Sequence, residues 1–242
     1  MKTVMITGSS RGIGRAIAQK FAKDGCNLVL NCSKSQDELD AAVAEAESLG
    51  ARAFGILADV SLYSECERMM HAAFERFGQV DILINNAGSS YVRLFADMPP
   101  DEFSKVLNNN LLSAINCSHL VIPQMVRRKC GAIVNISSMW GSVGASCEVV
   151  YSASKGGLNT FTKALAKELG PSGVRVNAVS CGVIDTGMNA FLSAQEAADL
   201  AEQIPLSRFG TSQEIAEVVA FLASNSASYI TGQIIAADGG IT

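Results

Sequence analysis

The sequence predicts an α/β protein built on a doubly wound parallel sheet of about seven strands, with helices on both faces in three α/β/α layers. Short apolar runs alternate with helix-period stretches along the chain, as is typical of a parallel sheet. The runs are apolar throughout, as strands buried on both faces are. No linker, repeat or low-complexity stretch interrupts the pattern, so residues 1–242 are expected to form a single domain.

The first half of the chain alternates predicted strands with predicted helices. Gly50 and Gly78 follow two of these helices, and a glycine can take the left-handed backbone that ends a helix. The strands are expected at residues 3–6, 27–30, 53–57 and 80–84, and the helices at residues 13–23, 36–49 and 63–77.

The second half begins with one long helix, expected at residues 101–128 with a kink at Pro123. Further strands are expected at residues 132–136, 175–179 and 233–236, and further helices at residues 151–169 and 213–223. The irregular stretch 182–205 joins a strand to a helix and is long for such a connection. Because long connections in compact domains often cover a site, we expect a substrate lid there.

Composition narrows the classes of partner. A net charge of −4 argues against nucleic acid as a partner. Seven cysteines without a C-x-x-C pair and only two histidines argue against a disulfide framework and a metal site. The sequence opens into a strand and holds no apolar run of membrane-spanning length, so we expect a cytoplasmic protein with no membrane partner. Only 17% of residues are charged, which suggests that subunit contacts cover part of the surface.

A glycine-rich turn follows the first strand directly. Gly8, Gly12 and Gly14 form the pattern G-x-x-x-G-x-G just before a helix. Glycines let the backbone turn tightly and approach a pyrophosphate, and the helix amino terminus favours the negative charge. An ordinary glycine-rich loop is the alternative, and the position between strand and helix makes it less attractive.

The residues after the second strand bear on which dinucleotide would bind. An acid at this point holds the ribose 2′-hydroxyl of NAD. The sequence from Asn31 to Ser35 has none, and the first acid is Asp37. Arg11 and Lys34 could instead meet a 2′-phosphate, unless both are solvated surface cations. We therefore predict NADP(H) as the cofactor.

Four polar residues form a candidate catalytic set. Tyr151 and Lys155 are four apart at the start of a predicted helix and so share one face. The ammonium should lower the phenol pKa and tune it toward protonating a carbonyl oxygen. Ser138 follows a strand at the sheet edge where ligands bind, and Asn110 interrupts a helix with two other asparagines. Structural alternatives are a tyrosine and lysine that only pack, a serine that caps the strand and an asparagine on a solvated face.

These motifs together resemble the short-chain dehydrogenase/reductase family over the whole chain. The matching stretches are residues 7–14, 59–60, 85–88, 110, 138, 151–155 and 229–232. The resemblance implies a Rossmann-type fold, a homotetramer, and a catalytic set of Asn110, Ser138, Tyr151 and Lys155. By this resemblance, Ser138 and Tyr151 would bind the carbonyl oxygen, Lys155 would hold the nicotinamide ribose, and Asn110 would support a proton relay through water. The cofactor residues that it implies, together with the candidates above, are Gly8, Ser10, Arg11, Gly12, Ile13, Gly14, Lys34, Asp59, Val60, Asn86, Ala87, Gly88, Tyr151, Lys155, Gly182, Ile184 and Thr186.

Within the family the chain is similar to bacterial 3-oxoacyl-[acyl-carrier-protein] reductases. It departs from them at Cys181, where a proline is usual, and at Gly187, where an acid is usual. A basic residue often found near Ser172 is also absent. A docking surface for an acyl carrier protein would therefore rest on the basic run 127–129, whose alternative role is a solvated helix end.

A second branch of the family offers another substrate. Residues 140–148 are similar to a stretch in reductases that act on the 5-aminopentanone group of modified elongation factor P. Trp140 and Glu148 could hold an ammonium near Ser138, or could be a packed pocket wall and a solvated acid. A third hypothesis is a protein that binds a dinucleotide only to sense it, which the complete catalytic set disfavours.

Overall fold

The computed structural model describes residues 1–187 and 192–242. Within them one seven-stranded sheet has the order β3-β2-β1-β4-β5-β6-β7. Every neighbouring pair of strands is parallel, so the predicted fold class is confirmed. The strands are β1 Thr3–Ile6, β2 Asn27–Cys32, β3 Arg52–Leu57, β4 Ile82–Asn85, β5 Gly131–Ser138, β6 Val174–Cys181 and β7 Ile234–Ala237.

Helices connect the strands and cover both faces of the sheet. In the described ranges they are α1 Gly12–Lys23, α2 Gln36–Ser48, α3 Tyr63–Phe77, α4 Pro100–Leu107, α5 Ser113–Arg128, α6 Trp140–Val143, α7 Val149–Leu169, α8 Ala194–Glu202 and α9 Ser212–Ala223. A π-helical turn, Asn108–Leu112, separates α4 from α5. Most buried apolar side chains form one cluster with α1, α2 and α9 and another with α3, α5 and the end of α7, and a third, smaller cluster joins α4 to the start of α7.

Strand order reverses between β1 and β4, because the chain first moves outward through β2 and β3 and then returns to the other side. Ligands of open α/β sheets bind outside the carboxyl ends of the strands at such a reversal. The glycine-rich turn follows β1, residues 86–88 follow β4, and Ser138 ends β5. The fold therefore brings the predicted cofactor and catalytic segments to one edge.

Two predicted elements differ from the structure. The single helix predicted at residues 101–128 is α4, the π-helical turn and α5, because the hydrogen-bond register shifts at the three asparagines. Pro123 lies inside α5, which continues to Arg128. The stretch 182–205, predicted to be irregular, contains α8, whose start is fixed by a capping box between Ser193 and Glu196. Residues 188–191 of the predicted lid lie outside the described residues.

Candidate active site

Glycine is required at the turn after β1 for two different reasons. Gly8 and Gly12 have φ values of +62° and +55°, a backbone region that side chains disfavour. At Gly14 a Cβ atom would lie 2.2 Å from the carbonyl oxygen of Gly8, so a side chain has no room. Ile13, between them, packs against the core cluster that includes α1. The turn is thus closely packed beneath the start of the helix.

The loop after β4 holds this turn in place. The Thr7 hydroxyl oxygen accepts hydrogen bonds from the backbone N–H groups of Asn86 and Ala87, each at 3.0 Å. The Asn86 amide donates to the carbonyl oxygen of Gly8 at 2.8 Å. Thr7 was not among the predicted site residues, although it precedes the first glycine. Its role depends on contact between two strands that are distant in sequence.

The side of the glycine turn that faces the start of α1 suits a phosphate group. α1 begins at Gly12 without a side-chain cap and without an acid in its first turn, so its first N–H groups can meet an anion. Beyond Gly12 the Thr186 side chain is the nearest group, 3.8 Å from where a Cβ atom would be. The residues present therefore fit the pyrophosphate of a dinucleotide, with Thr186 beside it.

The region predicted to bind the adenosine end of the dinucleotide contains an acid, Glu38, that was not predicted from the sequence. Ser10 is buried, whereas the Arg11 side chain is 83% exposed. The Glu38 carboxylate accepts a hydrogen bond from the Ser10 hydroxyl at 3.1 Å and lies 4.0 Å from the Arg11 guanidinium. Lys34 is exposed. Glu38 lies on α2 and reaches this site only through the folding of that helix against the turn.

The other predicted adenine contacts follow β3. Val60 is buried, and Asp59 is exposed and accepts a hydrogen bond from the Ser61 N–H at 3.0 Å. The Asn116 amide of α5 donates to the carbonyl oxygens of Val60 and Ser61, each at 3.3 Å. The loop after β3 is therefore held in place by hydrogen bonds from α5, which lies farther along the chain.

The candidate catalytic residues meet beyond the end of β5. Ser138 is its last residue and is 7% exposed, and its hydroxyl oxygen accepts the Trp140 N–H at 3.2 Å. Tyr151 and Lys155 lie in the first turns of α7. The Lys155 ammonium is buried and donates to the carbonyl oxygen of Ile136 at 2.8 Å. A phenol, a hydroxyl and an ammonium thus gather at one place.

Asn110 joins this group through the π-helical turn. It is 1% exposed, and its amide donates to the Ser89 carbonyl at 2.9 Å and to the Ser154 hydroxyl at 3.0 Å. A Cβ atom on Gly88 would lie 2.8 Å from the Asn110 amide oxygen and 3.6 Å from the Lys155 nitrogen. Gly88 therefore occupies the narrow space where Asn110 and Lys155 approach each other. The local distortion predicted from the asparagines is confirmed.

Burial changes the proton affinities here. It lowers the pKa of Lys155 to about 8, because the charged form loses its hydration. It raises the pKa of Cys181, at the end of β6, to about 12 for the corresponding reason. It also raises the pKa of Tyr151, with a smaller upward effect from Glu148 and an opposing one from the Ser138 hydroxyl.

The expectation that Lys155 lowers the pKa of Tyr151 is wrong for this structure, in which the pKa is raised. The Lys155 nitrogen donates to a backbone carbonyl and lies 5.7 Å from the centre of the Tyr151 ring. Loss of hydration is the largest cause of the shift. The phenol is therefore held in its neutral form, which is the form that can donate a proton.

Two loops flank Tyr151 on the predicted substrate side. The Ser90 hydroxyl donates a hydrogen bond to the Glu148 carboxylate, and the Arg93 N–H donates to the Cys147 carbonyl at 2.8 Å. Glu148 precedes α7, and Trp140, in α6, is partly buried. The carboxylate is thus held at the start of the helix that carries Tyr151, rather than being free in solvent.

The loop after β6 lies beside the glycine turn. Ile184 is buried. At Gly182 a Cβ atom would lie 2.6 Å from the Asp238 Cα, so this glycine is closely packed although the residue before it is Cys181 rather than the usual proline. Cys181 pairs with Ser138 in the register of β5 and β6. A Cβ atom at Gly187 would have no neighbour within 4 Å among the described residues.

Comparison with known proteins adds independent information. A family model described as Enoyl-(Acyl carrier protein) reductase matches residues 8–242. The 3-oxoacyl-[acyl-carrier-protein] reductase FabG of Staphylococcus epidermidis is 42% identical over 240 residues, which cover 99% of this chain and 98% of that protein.

A similar degree of likeness extends to a protein without an assigned substrate and to a solved structure. YmfI of Bacillus subtilis, named an uncharacterized oxidoreductase, is 40% identical over 243 residues, covering 99% of this chain and 98% of that protein. The crystal structure of a protein assigned as a short-chain alcohol dehydrogenase from Sinorhizobium meliloti has a TM-score of 0.94 and 36% identity, and covers 99% of this chain and 96% of that one.

The chain belongs to the short-chain dehydrogenase/reductase family. It is accordingly an oxidoreductase acting on a C=O or CH–OH group, and the dinucleotide of this family is a nicotinamide one. The hypothesis of a non-catalytic dinucleotide sensor is set aside on this ground.

The structure also bears on the remaining sequence expectations for this family member. In the described ranges no helix combines the length and apolar character of a membrane span, and no cluster of three or more His, Cys, Asp or Glu side chains is arranged to hold a metal ion. Of the basic run 127–129, the Arg128 guanidinium is turned inward to Asp81 at 2.6 Å. Arg127 and Lys129 are not engaged in this pair, and Lys129 ends α5 with a left-handed backbone.

Proposed function

We propose that the chain is an NADPH-dependent 3-oxoacyl-[acyl-carrier-protein] reductase of fatty-acid synthesis. The observation that carries the proposal is the convergence of Ser138, Tyr151, Lys155 and Asn110 at one edge of the sheet, beside a turn that fits a pyrophosphate. The identity of 42% to FabG over nearly the whole chain favours this substrate over other ketones.

The chemistry assigned to these residues is a proton transfer to a ketone oxygen. The substrate oxygen would accept hydrogen bonds from the hydroxyls of Ser138 and Tyr151, and the Tyr151 phenol would donate its proton as the C=O bond becomes a CH–OH group. A bound nicotinamide supplies the hydride for the carbon. Burial raises the pKa of Tyr151, so the phenol is protonated before the reaction begins, and its hydrogen bond with the Ser138 hydroxyl acts in the opposite direction and favours release of the proton.

Lys155 and Asn110 are assigned the return of the proton to Tyr151. Lys155, with a pKa of about 8, gains and loses a proton near neutral pH, which suits a relay. Asn110 supports that relay through water, and its three hydrogen bonds to Ser89 and Ser154 hold it rigidly for the task. Lys155 is also assigned to the nicotinamide ribose.

NADP(H) is assigned as the cofactor on the residues around the predicted 2′-phosphate position. β2 ends at Cys32 without an acid, the exposed Arg11 lies within the glycine turn directly before Gly12, and the exposed Lys34 follows β2. Ser10 adds a buried hydroxyl there. The cations supply the charge that a phosphate needs.

A second candidate substrate is the 5-aminopentanone group on modified elongation factor P. The specific observation that favours it is the Glu148 carboxylate, which the Ser90 hydroxyl holds beside Tyr151. A carboxylate with the partly buried Trp140 nearby in sequence suits an ammonium group. An acyl carrier protein would instead dock on Arg127 and Lys129, since Arg128 is engaged with Asp81.

The assembly and location are proposed on the same basis. A homotetramer would cover exposed apolar side chains such as Leu206 and Tyr229, which are 64% and 102% exposed. Sedimentation of the purified protein tests this, and a monomer at micromolar concentration would refute it. A single domain with a lid near residues 182–205 and a cytoplasmic location complete the proposal.

The experiment that tests the function compares two ketones with purified protein. Loss of reduced nicotinamide absorbance is followed with a 3-oxoacyl thioester on acyl carrier protein and, separately, with an amine-bearing ketone. The proposal predicts turnover of the thioester with NADPH. Turnover of the amine-bearing ketone alone would refute it and favour the elongation factor.

A further inference from the structure

The start of α2 carries a capping-box sequence that is only half formed. Ser35 and Glu38 have the spacing S-x-x-E, and the Ser35 hydroxyl accepts the Glu38 N–H at 3.3 Å. In a complete box the acid returns to the backbone N–H of the capping residue. The Glu38 carboxylate instead bonds to the Ser10 hydroxyl at 3.1 Å and pairs with the Arg11 guanidinium at 4.0 Å.

Two other helices of the described chain show the complete arrangement. Glu196 accepts the Ser193 N–H at 2.9 Å at the start of α8, and Glu214 accepts the Thr211 N–H at 2.8 Å at the start of α9. Glu38 has the same position in its helix as these two acids but a different partner. Its carboxylate is directed across to the glycine turn, to residues 28 and 27 positions away in sequence.

We propose that Glu38 determines cofactor specificity: its carboxylate competes with a ribose 2′-phosphate for Ser10 and Arg11 and so limits the preference for NADP(H) over NAD(H). The inference rests on the proposed function, which assigns Ser10 and Arg11 to the 2′-phosphate end. It adds that the same end contains a negative charge that a phosphate must displace.

The two dinucleotides meet this carboxylate differently. A 2′-phosphate is itself an anion and needs the same hydroxyl and guanidinium, so carboxylate and phosphate repel each other and share donors. A free ribose 2′-hydroxyl is a neutral donor, and a carboxylate is a good acceptor for it. Glu38 therefore weakens binding of the phosphorylated dinucleotide and supports binding of the other.

The size of the effect follows from exposure. The Glu38 side chain is 44% exposed and Arg11 is 83% exposed, so water and salt screen their interaction with a phosphate. Exposed charge pairs contribute up to about 1 kcal/mol, which corresponds to about a fivefold change in affinity. We expect Glu38→Gln to raise the affinity for NADPH relative to NADH by about that factor.

The test measures binding by fluorescence of the reduced dinucleotide, without a ketone. Wild-type protein, Glu38→Gln and Asp37→Asn are titrated with NADPH and with NADH. Asp37 is the matched control, because it is an exposed acid in the same first turn of α2 and its substitution removes the same charge. Glu38→Gln should shift the affinity ratio toward NADPH, and Asp37→Asn should leave the ratio near the wild-type value.

Competition with adenosine 2′,5′-bisphosphate against adenosine 5′-phosphate locates the effect at the 2′ position. Only the bisphosphate should bind more tightly to Glu38→Gln. An unchanged ratio in this variant, or an equal change in Asp37→Asn, would overturn the proposal while dinucleotide binding still stands. If neither dinucleotide binds, both this inference and the proposed function fail; failure to reduce the 3-oxoacyl substrate with binding intact affects only the latter.

Discussion

Replacement of Lys155 by methionine should abolish turnover and should also remove the free-energy cost of burying a charged group. Lys155 is 4% exposed, and burial lowers its pKa from 10.5 to about 8. That fall corresponds to about 3 kcal/mol of free energy, at about 1.4 kcal/mol for each tenfold change. A charged ammonium in this position therefore destabilises the folded state, whereas a neutral side chain of similar length does not.

The sign of the pH dependence follows from the two pKa values. Because the folded-state value is below the unfolded-state value of 10.5, the unfolded chain binds more protons between pH 8 and 10.5. Wild-type stability should therefore gain from this group as the pH rises through that window. From pH 7 to pH 9.5 the gain is about 2 kcal/mol, and Lys155→Met should lack it.

Chemical denaturation without added dinucleotide, at several pH values from about 7 to 9.5, measures the difference between wild type and variant. Loss of the hydrogen bond to the Ile136 carbonyl shifts that difference by a constant amount, so its slope with pH is the diagnostic quantity. Lys163→Met, which removes an exposed lysine of the same helix, is the control, and the slope of Lys155→Met is compared with it. A difference that is independent of pH for Lys155→Met would refute the reasoning.

Three further variants test separate parts of the site. Ser138→Ala should lower kcat by about 10²-fold, the usual effect of removing one donor to a developing oxyanion, and steady-state rates with little change would contradict its role. Gly14→Ala would place a Cβ atom 2.2 Å from the Gly8 carbonyl oxygen and should abolish dinucleotide binding in fluorescence titrations, whereas Gly170→Ala, where the space is open, should not. Glu148→Gln should lower the pKa of Tyr151 and leave turnover of a 3-oxoacyl thioester unchanged. Turnover of an amine-bearing ketone, if the wild type reduces it, should be lost. Full activity of the variant on such a ketone would exclude Glu148 as the group that binds the ammonium.

Most of the fold could be predicted because its signals are local. The fully buried strands β1 and β2 each contain a run of three apolar residues, 4–6 and 28–30. α3 has the predicted bounds, and it ends there because Gly78 has the left-handed conformation that ends a helix. α8 was not predicted, although Ser193 and Glu196 have the spacing of a capping box; the helix has only nine residues and none of them is buried, so its apolar pattern is weak. The π-helical turn at Asn110 was anticipated only as a distortion, because its hydrogen-bond register depends on contacts with Ser89 and Ser154.

The site could be predicted where residues are adjacent in sequence or end neighbouring strands. Tyr151 and Lys155 share a helix face, and Ser138 ends β5 beside them. Thr7, Glu38 and Ser90 were missed because their contacts join segments that are far apart in the chain. The direction of the Tyr151 pKa was wrong because sequence spacing shows the nearby ammonium but not the burial that outweighs it.

The central claim is that Tyr151 donates the proton to the substrate oxygen, and Tyr151→Phe tests it most directly. The variant keeps the ring and loses only the hydroxyl, so NADPH titration by fluorescence should give the wild-type affinity. Single-turnover reduction of a 3-oxoacyl thioester with bound NADPH should then be slower by about 10²- to 10⁴-fold. A single-turnover rate close to that of the wild type, with the dinucleotide bound, would contradict the account.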